Sequence, residues 1–384
     1  MGLAILVRGG LSGTHNTPSI ADNGVLNRIL AGECHFGGFF HFYLRMSKKS
    51  STFAAVMYSL SSIRQPVEAS WRQYERLMES SLRAENKLQQ EVLRYVGSRR
   101  GKQIRPLLTL LSAQICNPVT DKTLRSAVAL ELLHTASLIH DDVVDSSDTR
   151  RGVEAVHVRW TNKVAVLIGD YMLAKVIGLV AEVRNIRILE IVSGLGKSLS
   201  SGEMVQLHAG QSMWIDEAQY YQVIEQKTAQ LFQACTEAGA ESAGCTARQR
   251  TALREYGRML GLCFQIKDDI FDYSDLEELG KPTMSDLRDG KVTLPLIEAL
   301  RRAPKEEGER LKLKVESLEL KVGEESRVLE EVKAFVMRFK GDEYAVKKML
   351  EYKKQATEAL SVFRDSPEKK SLLALLDYAI NRVQ

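Results

Sequence analysis

The sequence carries Asp141-Asp142-Val143-Val144-Asp145 and, far downstream, Asp268-Asp269-Ile270-Phe271-Asp272. With Asp at about one residue in twenty, a chance DDxxD is expected in roughly a few per cent of chains this long, and two copies in well below about one per cent. Each copy closes an apolar run, 132–140 for the first and 259–266 for the second. On a helix, residues four apart share a face, so Asp141 points with Asp145 and Asp268 with Asp272. Carboxylates gathered this closely repel unless a cation neutralises them. Hard oxygen ligands, few in number, suit Mg²⁺ that keeps several waters and also binds substrate phosphates. An acidic helix end on a solvated surface would explain one cluster. It explains two poorly, since each ends an apolar helix.

Mg²⁺ held against a diphosphate also needs cations from the protein. Lys102 and Arg105 lie three apart just before a helix opened by Pro106. Arg150-Arg151-Gly152 follows the first acidic cluster, and Lys227-Thr228 sits on a helix between the clusters. Lys281 and Lys291 flank Asp286 and Asp289 after the second cluster. A lone Lys or Arg is usually a solvated charge; the arrangement around the aspartates carries the weight. Arg gives forked bonds to phosphate oxygens and Lys a point charge. No G-x-x-x-x-G-K-[ST] occurs, so this is not a P-loop.

The elements that must position these groups read as helices. Trp71, Tyr74, Leu77 and Met78 recur at helical spacing, as do Leu88, Val92, Leu93 and Val96, with a stop at Gly97. Helices are predicted over 107–115, 123–145, 164–183, 186–207, 218–243, 249–273 and 294–300. Residues 306–384 alternate charged and apolar positions at the same period, and no alternating strand pattern rises above noise. The class is all-α, one domain over 58–384. Only 8 prolines in 384 residues fit that class. At 44% hydrophobic and 27% charged, collagen-like and wholly disordered chains are excluded. A net charge of +4, evenly spread, argues against a nucleic-acid partner.

Residues 1–57 differ. The first 45 hold 8 of the 26 glycines and show no helical period, and neither a secretory signal nor a transit peptide is clear in them. They are expected to be a disordered extension, with Met46 an alternative start; removing 1–45 is expected to leave fold and turnover nearly unchanged. Cys34, Cys116, Cys235, Cys245 and Cys263 are odd in number and lack C-x-x-C spacing. They are expected to be reduced thiols in a cytoplasmic protein. The most apolar run, 164–183, is broken by Asp170, Lys175 and Glu182, which argues against a membrane span and leaves peripheral membrane contact open.

Taken together, these motifs resemble the trans-type polyprenyl diphosphate synthases over roughly residues 65–384. The set is Gly101-Lys102-x-x-Arg105-Pro106, the first aspartate motif with Arg150-Arg151-Gly152, Gly169-Asp170, Gly202-Glu203-x-x-Gln206, Lys227-Thr228, Phe264-Gln265-x-x-Asp268-Asp269-x-x-Asp272 and Gly280-Lys281-Pro282. The resemblance implies an isoprenoid synthase-type helical bundle around a central cavity, usually in two identical subunits. It implies that an allylic diphosphate ionises, the double bond of isopentenyl diphosphate attacks the cation, and a proton is lost to the released diphosphate.

By that resemblance Asp141, Asp145 and Asp268 hold Mg²⁺ on the allylic diphosphate, with Asp142, Asp269 and Asp272 supporting. Arg150, Lys227, Gln265, Lys281 and Lys291 bind the allylic diphosphate. Lys102, Arg105, His134 and Arg151 bind isopentenyl diphosphate, and Thr228 steadies the developing cation through its oxygen. His134 stands seven residues before Asp141, on the same helix face; His140, His157 and His208 are read as structural or surface residues. Gln103 stands where the family often has Arg, and Val153-Glu154 where Pro is common; neither removes a ligand.

Product length is read from Leu133, Ala136 and Ser137, one to two turns before Asp141. Short-product relatives carry bulky aromatics four and five positions before the first Asp. Here Ser137 and Ala136 are small, which predicts a long all-trans product of roughly six to ten isoprene units, with about eight the value that the resemblance implies. A long product commonly becomes a quinone side chain. A class I terpene cyclase also uses DDxxD, but its second metal motif is mixed Asn/Ser/Glu and it lacks an isopentenyl diphosphate site. A non-catalytic subunit of a heteromeric synthase loses an aspartate motif. The paired motifs with Lys102 and Arg105 argue against both.

Overall fold

The computed structural model describes residues 58–99, 101–150, 152–209, 213–273, 284–317 and 325–382. Residues 1–57 with Cys34, and Arg151 and Lys281, lie outside the described residues. Helices account for nearly all of the ordered elements: α1 (Leu60–Arg64), α2 (Glu68–Ser81), α3 (Lys87–Gly97), α4 (Ile104–Gln114) and α5 (Asp121–Val144) come first. After a two-residue hairpin, β1 (Thr149–Arg150) with β2 (Val153–Glu154), come α6 (Val156–Arg159), α7 (Asn162–Val183) and α8 (Ile186–Ala209). Then follow α9 (Glu217–Ile224), a π turn (Glu225–Ala229), α10 (Gln230–Ser242) and α11 (Ala247–Asp272). The remainder is α12 (Ser285–Arg288), α13 (Leu294–Arg302), α14 (Lys305–Glu316), α15 (Glu325–Arg338), α16 (Gly341–Ala359) and α17 (Pro367–Asn381).

Local chemistry starts these helices. The Thr161 hydroxyl accepts from Val164 N at 3.2 Å to open α7, and Ser366 accepts from Lys369 N at 3.1 Å to open α17 behind Pro367. Asp216 and Gln219 exchange bonds at the start of α9, as do Thr246 and Gln249 at α11. The one helix expected over 218–243 is broken by the π turn. The hairpin was not legible as alternation, because each strand has only two residues.

The core forms where α4, α5, α10 and α11 meet. α5 packs along α7, α10 along α11 and α4, and α16 covers the far side of α11. Apolar residues spaced for both sides of a helix explain this: Leu107, Leu108, Leu110 and Leu111 of α4 are all buried. α7 alone among the described helices is long and apolar enough to cross a membrane, by length and composition. One side of it packs on α5, and Leu167 and Ile177 on the other side are 67% and 68% exposed.

The expectation of reduced thiols fails at one pair. Cys116 and Cys245 form a disulfide, their Cα atoms 5.7 Å apart across 129 residues of chain. Because α4 and α10 lie side by side, the residues just past both helices meet, and Asn117 Nδ2 donates to the Ala243 carbonyl at 2.8 Å. The argument for a reducing compartment goes with it. Cys235 and Cys263 are free and buried, and burial pushes both thiols up to about 12.

Candidate active site

Both acidic clusters end helices. Asp141 lies in the last turn of α5 with Asp145 as its C-cap, and Asp272 is the last residue of α11. The negative end of the helix dipole adds to the repulsion there, so a cation is favoured on electrostatic grounds alone. Asp145 N donates to the Asp141 carbonyl at 2.8 Å, and the chain then turns at Ser146, whose φ of 51° is left-handed. A cavity of about 1260 Å³ opens beside these helix ends. Its lining carries Asp141, Asp145, Glu203, Lys227, Asp269 and Lys291 together with the apolar Leu133, Leu173 and Leu199. It therefore offers both charged and apolar lining to one ligand.

Burial first, then the Glu203 carboxylate, push Asp141 up to about 6 against the pull of Lys227. Burial and then Asp272 push Asp286 up to about 7, opposed by Lys291. Burial, then Asp286, hold Asp269 well above the usual carboxylate range. The site is short of positive charge. Its donors are hard oxygens, so they fit a divalent cation such as Mg²⁺. Among the described residues no three metal-ligating side chains converge into a preformed cage. Water and substrate phosphate would have to complete the coordination.

The other members of the clusters do different work. Asp142 points away from the main cavity and takes a 2.5 Å bond from Arg150 Nε. Asp272 is fully engaged: Ser285 N and Oγ donate to one oxygen at 2.8 and 2.9 Å, and Asp286 N to the other at 3.0 Å. It thereby seats the 285–291 segment, with Asp286, Asp289 and Lys291, on the cavity. Asp268 does not line the cavity; Arg382 Nη2 lies 2.5 Å from its Oδ1. Lys291 Nζ lies 3.1 Å from Asp289.

Thr228 donates to Gln265 Oε1 at 2.7 Å, Gln265 Nε2 donates to Asp269 at 2.9 Å, and the Tyr220 hydroxyl donates to the other Asp269 oxygen. Thr228 lines the cavity with its proton engaged by Gln265, so its oxygen can act there only as an acceptor. Lys227 and Thr228 reach the wall from the π turn, a distortion common at functional sites.

Arg105 and His134 line the cavity, and His134 with Arg150 also lines a smaller hollow of about 90 Å³ behind α5. Lys102 is exposed outside the main cavity, its ammonium 5.6 Å from the Tyr378 ring centre. His140 packs on α7, where a Cβ on Gly169 would stand 2.1 Å from its Nε2; the Gly169-Asp170 motif therefore serves helix packing. Ser137 and Leu133 line the cavity, but Ala136 does not and is fully buried. At about 100° per residue, Ser137 lies about 40° from Asp141 around the helix and Ala136 about 140° away. Of the three residues read as setting length, Ala136 is the one misplaced.

Glu203, Tyr220, Asp286 and Arg382 had no role in the reading of the motifs. Glu203 lies in Gly202-Glu203-x-x-Gln206 and Asp286 between Lys281 and Lys291, whereas Tyr220 and Arg382 carry no local signal.

The polyprenyl synthetase family profile matches residues 86–332. The chain is 35% identical over 289 residues to an octaprenyl diphosphate synthase of Haemophilus influenzae, covering 75% of this chain and 86% of that one. It is 37% identical over 289 residues to a short chain isoprenyl diphosphate synthase of Methanothermobacter thermautotrophicus, covering 73% and 86%. A crystal structure of a polyprenyl synthase from Caulobacter crescentus CB15, complexed with calcium and isoprenyl diphosphate, matches with a TM-score of 0.76 and 32% identity over 85% of this chain and 98% of that one.

Proposed function

Because the chain belongs to the polyprenyl synthetase family and is a polyprenyl diphosphate synthase, a prenyltransferase, we propose that it condenses isopentenyl diphosphate onto an allylic diphosphate, with Mg²⁺, to a long all-trans product. The observation that carries this reading is one cavity lined both by Asp141, Asp145, Lys227 and Lys291 and by the apolar Leu133, Leu173 and Leu199. The hard step is departure of diphosphate with separation of charge. Fixed cations at Lys227 and Lys291 stabilise that charge where it develops. The apolar part of the lining excludes positioned water from the allylic cation and accommodates the growing chain. Asp141 and Asp145 would hold the metal, with Asp268 once it shares its carboxylate with Arg382. Magnesium, when bound, supplies neutralising charge to the departing diphosphate.

Lys102, Arg105, His134 and Arg151 form the isopentenyl diphosphate subsite in this reading. Lys102→Ala should raise the Michaelis constant for isopentenyl diphosphate more than that for the allylic primer. The reverse order reassigns the subsites.

The protein acts as a homodimer in this reading. Leu167 and Ile177 of α7 and Ile186 of α8 are 67%, 68% and 71% exposed, an apolar face suited to a second copy. Residues 58–384 are the synthase domain and 1–57 an extension, of which 1–45 is dispensable for turnover.

One assay tests the reaction. Purified protein with farnesyl diphosphate, labelled isopentenyl diphosphate and Mg²⁺ should yield a long prenyl diphosphate. A cyclic hydrocarbon would make it a cyclase, and turnover only with a second protein would make it a subunit.

A further inference from the structure

The Gly202-Glu203 pair on α8 is a motif to which the proposed reaction gives no part. A Cβ at position 202 would stand 3.1 Å from Gln226 Cβ and 3.2 Å from Lys227 Cγ. Those contacts are tight, so glycine lets α8 come close to the π turn. One residue on, a Glu203 carboxylate oxygen lies 2.6 Å from Lys227 Nζ. The Glu203 side chain is only 12% exposed, and both residues line the cavity.

This placement is electrostatically costly. It buries a further carboxylate beside Asp141, where the site already has too much negative charge. A fold needing only stability would gain little from it. Lys227 and Asp141 also attract one another across the cavity mouth. The Glu203 carboxylate on α8 therefore competes with Asp141 for this long, flexible ammonium.

We propose that Glu203 is a positioning residue that holds the Lys227 ammonium on the α8 wall, so that Lys227 meets the allylic diphosphate and leaves Asp141 open. Gly202 sets the distance between the two elements and Glu203 sets the direction of the cation. The proposal rests on the reading that Lys227 binds the allylic diphosphate.

The test compares wild type, Lys227→Ala, Glu203→Gln, Glu203→Asp and the Lys227→Ala/Glu203→Gln double variant. Initial rates give both Michaelis constants, and calorimetry with farnesyl thiodiphosphate, which does not ionise readily, gives primer affinity without turnover. Glu203→Gln should raise the constant for farnesyl diphosphate about tenfold, and the thiodiphosphate Kd alike, while that for isopentenyl diphosphate stays within about twofold. Glu203→Asp should recover part of the loss. The double variant should be no worse than Lys227→Ala alone, because Glu203 acts through Lys227. Additive losses, or equal rises in both Michaelis constants, would overturn the proposal and make Glu203 a plain structural residue. An unchanged primer constant in Lys227→Ala would overturn the reading beneath it, and the proposal would fall for that separate reason.

Discussion

Arg382 holds Asp268. Its Nη2 lies 2.5 Å from Asp268 Oδ1 and 3.2 Å from the Phe264 carbonyl, and its guanidinium carbon sits 3.6 Å from the centre of the Phe264 ring. The C-terminal end of α17 is thus tied to the first acid of the second cluster. A guanidinium there neutralises Asp268 much as a metal ion would, but through one oxygen only.

A dication approaching Asp268 is repelled by that guanidinium. Arg382→Ala should therefore lower the Mg²⁺ concentration for half-maximal activity, by about two- to fivefold at low ionic strength. A Mg²⁺ titration of initial rates measures it. A higher requirement would mean that Arg382 helps to assemble the metal site.

Asp141 gives a prediction with opposite signs for stability and function. Its folded pKa of about 6 lies above its ordinary value of 3.8. Between those values the native state holds more protons than the unfolded chain, so stability falls as pH rises through the window. The contribution is full below the lower value and lost above the upper one. Asp141→Asn should accordingly raise the melting temperature of the metal-free protein at pH above about 7, while lowering turnover at least about a hundredfold. Thermal unfolding in a chelator and a steady-state assay check the two halves. A lower melting temperature would show that a further contact stabilises the ionised carboxylate.

Much of the site was legible because its residues sit at helical spacing on helices that do form. Asp141, Asp145, Ser137 and His134 share one stripe of α5, as their intervals require. The Lys227-Thr228 pair was legible as a motif, but not the π turn that presents it, since one widened turn scarcely alters an apolar period. Asp272 looked like a ligand because sequence reports that it shares a face with Asp268. It does not report that the 285–286 backbone returns to that carboxylate. Arg382 and the Cys116–Cys245 pair were illegible for the same reason: each joins residues more than a hundred positions apart.

The disulfide makes its own prediction. It closes a loop of 129 residues, and cross-links of that span restrict the unfolded chain by roughly 4–5 kcal/mol in the chain-entropy account. Protein purified without reductant, denatured and alkylated should take up two fewer labels than the reduced chain, by mass spectrometry. Cys116→Ser should lower the unfolding midpoint and leave both Michaelis constants unchanged, since the bond lies at the far end of the α4–α10 pair from Arg105. Equal labelling before and after reduction would show two thiols.

Product length is expected to turn on Ser137. It and Leu133 line the cavity below Asp141, whereas Ala136 is buried on another side of α5. A small hydroxyl at 137 leaves open the cavity that Leu173 and Leu199 also line, so the wild-type chain should grow past it to a long product. An aromatic ring at that position fills the volume several methylenes need, and overpacking there cannot be relieved by a rigid helix. Ser137→Phe should therefore accumulate products of about fifteen or twenty carbons while keeping its dependence on Mg²⁺. Ala136→Phe should behave differently. Its ring would enter packed protein rather than the cavity, lowering the melting temperature by several degrees with little change in product length. Chromatography of the dephosphorylated products beside a thermal scan separates the two variants. If Ala136→Phe shortens the product and Ser137→Phe does not, the tunnel runs along the other face of α5 and the growing chain does not pass down this cavity.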